Sequence, residues 1–151
     1  MRDIHSNIAS SLLLLKGRSA LGVSGSANAD LAGYDAAEIL IGIKGTGATL
    51  GAAKNIKISI LHGDTSTAAT GAVATADLIG ATATAGVILN INSSAAATGA
   101  SGSTRIGYIG GKRHLKVKYV ASGAATAATG ANGIQLTVTV IKGNPAVAPV
   151  E

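Results

Sequence analysis

Few residues in this chain of 151 are equipped for chemistry, and their spacing limits what they can do together. Its three histidines, His5, His62 and His114, never stand at the i, i+2 or i, i+4 separations that aim two imidazoles at one metal ion. No cysteine can complete such a site, and the seven acidic residues are dispersed. Neither the carboxylate pair of a glycosidase nor an oxygen-rich calcium loop is legible. His62-Gly63-Asp64 sets an imidazole beside a carboxylate, but a hydrolytic triad also needs a serine on a strand-to-helix elbow. Val23-Ser24-Gly25-Ser26 and Ala100-Ser101-Gly102-Ser103 lack that context. The expected reading is a strand end followed by a Gly-Asp turn. Gly45-Thr46-Gly47-Ala48-Thr49-Leu50-Gly51 is as glycine-rich as a phosphate loop, yet it lacks Gly-Lys-Ser/Thr and no helix follows it. No catalytic residue, metal or cofactor is expected, and the chain is not expected to be an enzyme.

Charge offers a different chemistry. Twelve Lys and Arg against seven Asp and Glu give a net charge of +5. Arg105, Lys112, Arg113, Lys116 and Lys118 fall close together in sequence. The ordinary fate of such residues is a solvated strand face and turn. A single-strand nucleic-acid surface would add aromatic platforms, and only Tyr108 and Tyr119 are near. An acidic protein surface is therefore the expected partner, with no specific nucleic acid.

These residues must be held by strands. Ile56-Lys57-Ile58-Ser59-Ile60, Leu115-Lys116-Val117-Lys118-Tyr119 and Ile134-Gln135-Leu136-Thr137-Val138-Thr139-Val140 alternate apolar and polar side chains, the period of a half-buried strand. Residues 38–43 and 86–91 are denser apolar runs, which predicts strands covered on both faces. Residues 12–15 and 104–109 are further candidates. Seven or eight short strands separated by turn signals predict a β-sandwich or a barrel, and of the two an all-β, single-domain β-sandwich, jelly-roll-like, is the fold expected. One short helix is conceivable within the Ala-rich residues 64–78. Residues 65–76, 93–103 and 121–133 are long Ala/Gly/Thr loops with too little charge to stay solvated, and are expected to pack on neighbouring subunits. Gly143-Asn144-Pro145 is expected to stop the last strand, leaving an extended apolar arm. The predicted organisation is an N-terminal arm and first strand over residues 1–22, the sandwich over 23–142 and the arm over 143–151. No apolar run approaches the roughly 20 residues of a membrane helix, and Lys16-Gly17-Arg18 breaks the first one, which also argues against a secretory signal.

Across nearly its whole length the chain resembles a family of small head-associated proteins of tailed bacteriophages. The resemblance lies in Asp3-Ile4-His5-Ser6-Asn7-Ile8, Leu31-Ala32-Gly33-Tyr34-Asp35-Ala36-Ala37-Glu38, Leu61-His62-Gly63-Asp64-Thr65-Ser66 and Ala76-Asp77-Leu78-Ile79-Gly80. Its most specific parts are Arg105-Ile106-Gly107-Tyr108-Ile109-Gly110-Gly111-Lys112-Arg113 and the terminal Gly143-Asn144-Pro145-Ala146-Val147-Ala148-Pro149-Val150. The connecting segments, often acidic in similar proteins, are Ala/Thr/Gly-rich here. The resemblance implies a capsid cement (decoration) protein on the virion exterior, assembled in the host cytoplasm. Its partners would be the major capsid protein and further copies of itself, a trimer by analogy with decoration at threefold positions. It supplies no catalytic residues. The contact residues expected are Arg2, His5, Arg105, Lys112, Arg113, Lys116, Val147 and Pro149. A head–tail connector or tail-associated protein is the alternative; a glycan-binding module is disfavoured by the 2% aromatic content.

Overall fold

A computed structural model of the chain describes residues 9–16, 24–45, 50, 54–92, 102–122 and 134–145. They form β1 (Ala9–Lys16), β2 (Ser24–Asp30), β3 (Tyr34–Gly45), β4 (Ile56–Gly63), β5 (Gly71–Ala72), a 3₁₀ turn (Thr75–Asp77), β6 (Leu78–Ile79), β7 (Val87–Ile91), β8 (Gly102–Tyr108), β9 (His114–Ala121) and β10 (Ile134–Pro145). One antiparallel sheet, sheet A, runs β1-β10-β3-β8-β6; the other, sheet B, runs β2-β9-β4-β5, with β7 also paired to β4. Without the two-residue strands β5 and β6, the pairings nest: β1 with β10, β2 with β9, β3 with β8, β4 with β7. The chain is thus one long antiparallel hairpin. Rolling it up adds β10 beside β3 and β9 beside β4. That is the jelly roll, whose two layers bury one face of each sheet.

Alternation decides which residues enter the core. Ile39 and Ile41 from β3, Ile106 and Tyr108 from β8, and Leu136, Val138 and Val140 from β10 line the inner face of sheet A. Ile56, Ile58 and Ile60 from β4 meet them from sheet B, with Leu115, Val117 and Tyr119 from β9. Each of these is at most 1% exposed, so β-branched and leucine side chains with two tyrosines close the interior without Phe or Trp. The β-branched residues suit this setting because they pack well on a pleated surface.

Four local expectations change. The dense runs are not covered on both faces: Ile39, Ile41 and Ile43 are buried, but Leu40 and Gly42 between them are half-exposed, and in β7 only Ile91 is buried. A two-layer sandwich has nothing to lay over its outer faces. Gly143-Asn144-Pro145 continues β10 rather than stopping it, with Pro145 opposite Tyr34. Among the described residues the last pair with β1 is Ala9 with Lys142; beyond it the strand pairs with β3, and on its other side a proline is tolerated. Residues 64–78 hold no helix beyond the 3₁₀ turn; within them Ala69 and Val73 are buried against their own chain, and residues 64–68, 70–72 and 74–76 are exposed. A Cβ on Gly63 would lie 2.2 Å from the Ala68 carbonyl oxygen, so glycine is what lets this loop fold back on the end of β4. Lastly, Ser24–Asp30, not among the strands expected from the sequence, is an edge strand of the described sheet whose Ala27 and Ala29 face inward. The loops at 93–101 and 123–133 and the arms at 1–8 and 146–151 lie outside the described residues.

Candidate functional site

Polar groups gather at one end of the sandwich, where the β2–β3 turn meets the β8–β9 loop and the end of β4. The Asp30 carboxylate caps the turn by accepting the Ala32 N–H (2.9 Å), and Gly33 takes the left-handed φ of 81° that lets the chain reverse into β3. The Tyr34 N–H donates to the Leu31 carbonyl (2.8 Å) to close it. Arg113 then grips Asp30 through Nε (2.8 Å) and Nη2 (2.7 Å), and the Leu31 N–H donates to the Arg113 carbonyl (2.7 Å). That fork, more than the Ala32 N–H, holds the Asp30 carboxyl well below the usual carboxylate range. Lys142 donates to the Asp30 carbonyl (3.3 Å) and stands 5.2 Å from the Tyr34 ring centre. Between turn and loop lies a shallow cleft of about 290 Å³ bordered by Tyr34, Asp35, Gly110 and Lys112.

Beneath the loop, two inward side chains bridge the sheets. His62 Nδ1 is 3.0 Å from the Tyr108 hydroxyl, which also accepts the Lys112 N–H at 3.2 Å. A neutral imidazole protonated on Nε2 satisfies both groups, the tyrosine donating to Nδ1. The loop closes tightly here, since a Cβ on Gly110 would lie 2.7 Å from the tyrosine ring. Burial raises the Tyr108 phenol above its ordinary value. Asp64 gives its carboxylate to Lys112 Nζ (2.8 Å) and not to the imidazole, so His62-Gly63-Asp64 forms no relay. It is the strand end and turn expected from the sequence. Among the described residues no group of three His, Cys, Asp or Glu side chains could hold a metal ion.

The basic residues that adjoin in sequence are divided in space. Arg105 lies on the outer face of sheet A, where it pairs with Glu38 and lowers that carboxyl's pKa. Lys112 and Arg113 sit together at the end of the sandwich, each committed to an aspartate. Lys116 lies on the outer face of sheet B, opposite Asn28 and Leu61. Arg2, His5, Val147 and Pro149 fall outside the described residues.

No protein-family model matches the chain. No curated protein is similar to it either. Two structures of the coat protein of Tobacco streak virus, one of them a dimer, align with it at 13% and 12% identity and TM-scores of 0.38 and 0.39. The alignments cover 99% of this chain and 95% and 93% of the coat-protein chains. Likeness at this level carries no functional argument.

What the sequence reading missed is the company of Lys116. Lys118 follows two residues along β9, and the register that sets Ile58 opposite Tyr119 brings Lys57 of β4 diagonally across from Lys118. Lys57 and Lys118 are exposed and Lys116 is half-buried. The alternation already aimed each lysine outward, but only strand pairing joins residues separated by about sixty positions in the chain.

Proposed function

We propose that the chain is a structural virion protein: a capsid cement that decorates the exterior of a tailed-phage head. The observation that carries this reading is how the jelly roll disposes its reactive groups. At the end of the sandwich, where a site would form, the ionic side chains are spent holding loops: Arg113 on Asp30, Lys112 on Asp64. What the molecule offers outward is a rigid two-layer body with broad strand faces. Such a body suits a role made of many repeated weak contacts, in which symmetry multiplies the effect of each one. The sequence resemblance to head-associated proteins supports the same reading.

The partner is the major capsid protein, and the decorating unit is a homo-oligomer, a trimer, assembled in the host cytoplasm. Ile79 and Ile109, 58% and 53% exposed, flank the edge of sheet A and would suit a contact between copies. The test adds the purified chain to DNA-free heads of the phage encoding it and counts copies retained per particle. Retention in the hundreds, with heads that survive a higher temperature, is the expected result. A dozen or fewer copies would identify a connector or tail ring, as closed cyclic symmetry implies. No retention overturns the virion reading.

A further inference from the structure

We infer that the outer face of sheet B, centred on Lys57, Lys116 and Lys118, is the surface by which the chain docks on a carboxylate-rich protein surface. The inference rests on the head-bound reading and names the side that makes contact. On an antiparallel sheet the partners of a side chain are its cross-strand neighbours, and opposite charges placed there stabilise the pair. None of these lysines has one. Lys116 faces Asn28 and Leu61, Lys118 faces Ser26 and Ser59, and Lys57 faces Val120 and Asn90. The nearest outward carboxylate, Asp30 at the end of β2, is already held by Arg113. Elsewhere among the described residues Arg105, Lys112 and Arg113 are matched by Glu38, Asp64 and Asp30, and Lys142 rests on the Asp30 carbonyl and the Tyr34 ring. Exposed Lys54, just before β4, is in no ion pair among them either, so this face groups three of the lysines that no carboxylate answers.

The spacing makes that charge usable. Lys116 and Lys118 stand about 7 Å apart along β9, and Lys57 lies diagonally across from Lys118 at a similar distance. Lys118 thus has a like charge on either side, from Lys57 and from Lys116, and a facing set of carboxylates would relieve the modest repulsion. A second copy is a poor occupant, because the chain is itself basic and Glu38, on the outer face of sheet A, is already spent on Arg105. Protein carboxylates fit better than a nucleic-acid strand. Half-buried Leu61 and Val120 lie among the lysines as apolar ground, and among the described residues of this face no tyrosine is turned outward to stack on a base. Tyr119 points into the core, and the one outward ring among them is half-buried His114 at the end of β9.

The test compares wild type with K57E/K116E/K118E on DNA-free heads, on poly-L-glutamate and on an oligothymidylate, at low and high salt. R105E is the control, and circular dichroism verifies each fold. The expected result is that wild type binds heads and poly-glutamate in a salt-sensitive manner. The triple variant should bind both at least about tenfold more weakly, with R105E unchanged toward poly-glutamate. K57Q/K116Q/K118Q, which removes charge without reversing it, should fall between. Equal binding of wild type and triple variant to heads overturns the docking face while leaving the cement reading intact. If wild type ignores heads, the cement reading fails, and poly-glutamate alone then decides the face. Tighter binding to the oligothymidylate than to poly-glutamate overturns the assignment to an acidic protein.

Discussion

The two outer faces of this sandwich are built on the same pleat, yet they differ in how they treat charge. Sheet A presents Gln135, Thr137 and Thr139 beside Leu40 and Gly42, with Arg105 answered by Glu38 and Lys44 at the register position opposite Gln135. Sheet B presents three lysines, and its one described outward carboxylate, Asp30, is taken by Arg113. The inner faces show no such contrast, since both are largely aliphatic, each with one buried tyrosine, and among the described residues carry no Lys, Arg, Asp or Glu in the core. The lesson is that the core specifies one rigid body, while the outer registers decide which side of it is complete alone and which is left to be completed.

The largest expected effect tests the shared core. Ile41 of sheet A and Ile58 of sheet B are both fully buried, so Ile41→Ala and Ile58→Ala should each cost about 2–5 kcal/mol through lost burial and a residual cavity. Leu40→Ala and Leu61→Ala, on the half-exposed outer positions, should cost less than about 1.5 kcal/mol. Urea midpoints at neutral pH would measure the four. Comparable losses at inner and outer positions would mean that another layer covers a face in solution, and whichever face lost most would be the covered one.

A smaller effect separates the outer faces by sign. Arg105→Glu sets a carboxylate beside Glu38 and should lower the melting midpoint. Lys118→Glu sets one between Lys57 and Lys116 and should raise it. Both shifts are small because the groups are exposed, and both should shrink as salt is added. Calorimetry at low and high salt would read them. Shifts of one sign on both faces would remove the distinction drawn between them.

Much of the fold was legible because burial imposes a period of two, and Ile56–Ile60, Leu115–Tyr119 and Leu136–Val140 keep it without interruption. Ser24–Asp30 escaped because an edge strand with Ala27 and Ala29 inward has almost no hydrophobic amplitude to detect. Pro145 misled for a related reason: proline ends a strand between two neighbours, but among the described residues β10 is paired there with β3 alone. The basic cluster was legible as composition and not as geometry. Arg105, Lys112, Arg113 and Lys116 occupy twelve consecutive positions, yet they fall on one sheet, a loop and the opposite sheet, because β8 and β9 belong to different layers. Lys57 could join Lys116 and Lys118 only through a register that no local pattern carries.

The last contrast is one of pH. Asp30 and Glu38 are held below their ordinary range by hydrogen bonds from Arg113 and Arg105, so the folded chain takes up protons less readily than the unfolded one. Their stabilisation is present above about pH 4 and is lost as pH falls through and below that value. Tyr108 and Tyr119 are shifted upward by burial, so the folded chain keeps phenolic protons that the unfolded chain releases. That stabilisation is present below about pH 10 and is lost as pH rises beyond it. Urea midpoints followed across pH should therefore decline at both extremes. Glu38→Gln should flatten the acid limb alone, and Tyr119→Phe the alkaline limb alone. Lys118→Gln should leave the acid limb as it was, because no carboxylate on sheet B depends on that lysine. An acid limb that changed with Lys118→Gln would mean that its ammonium is already paired within the chain, and the lysine face would then be complete without a partner.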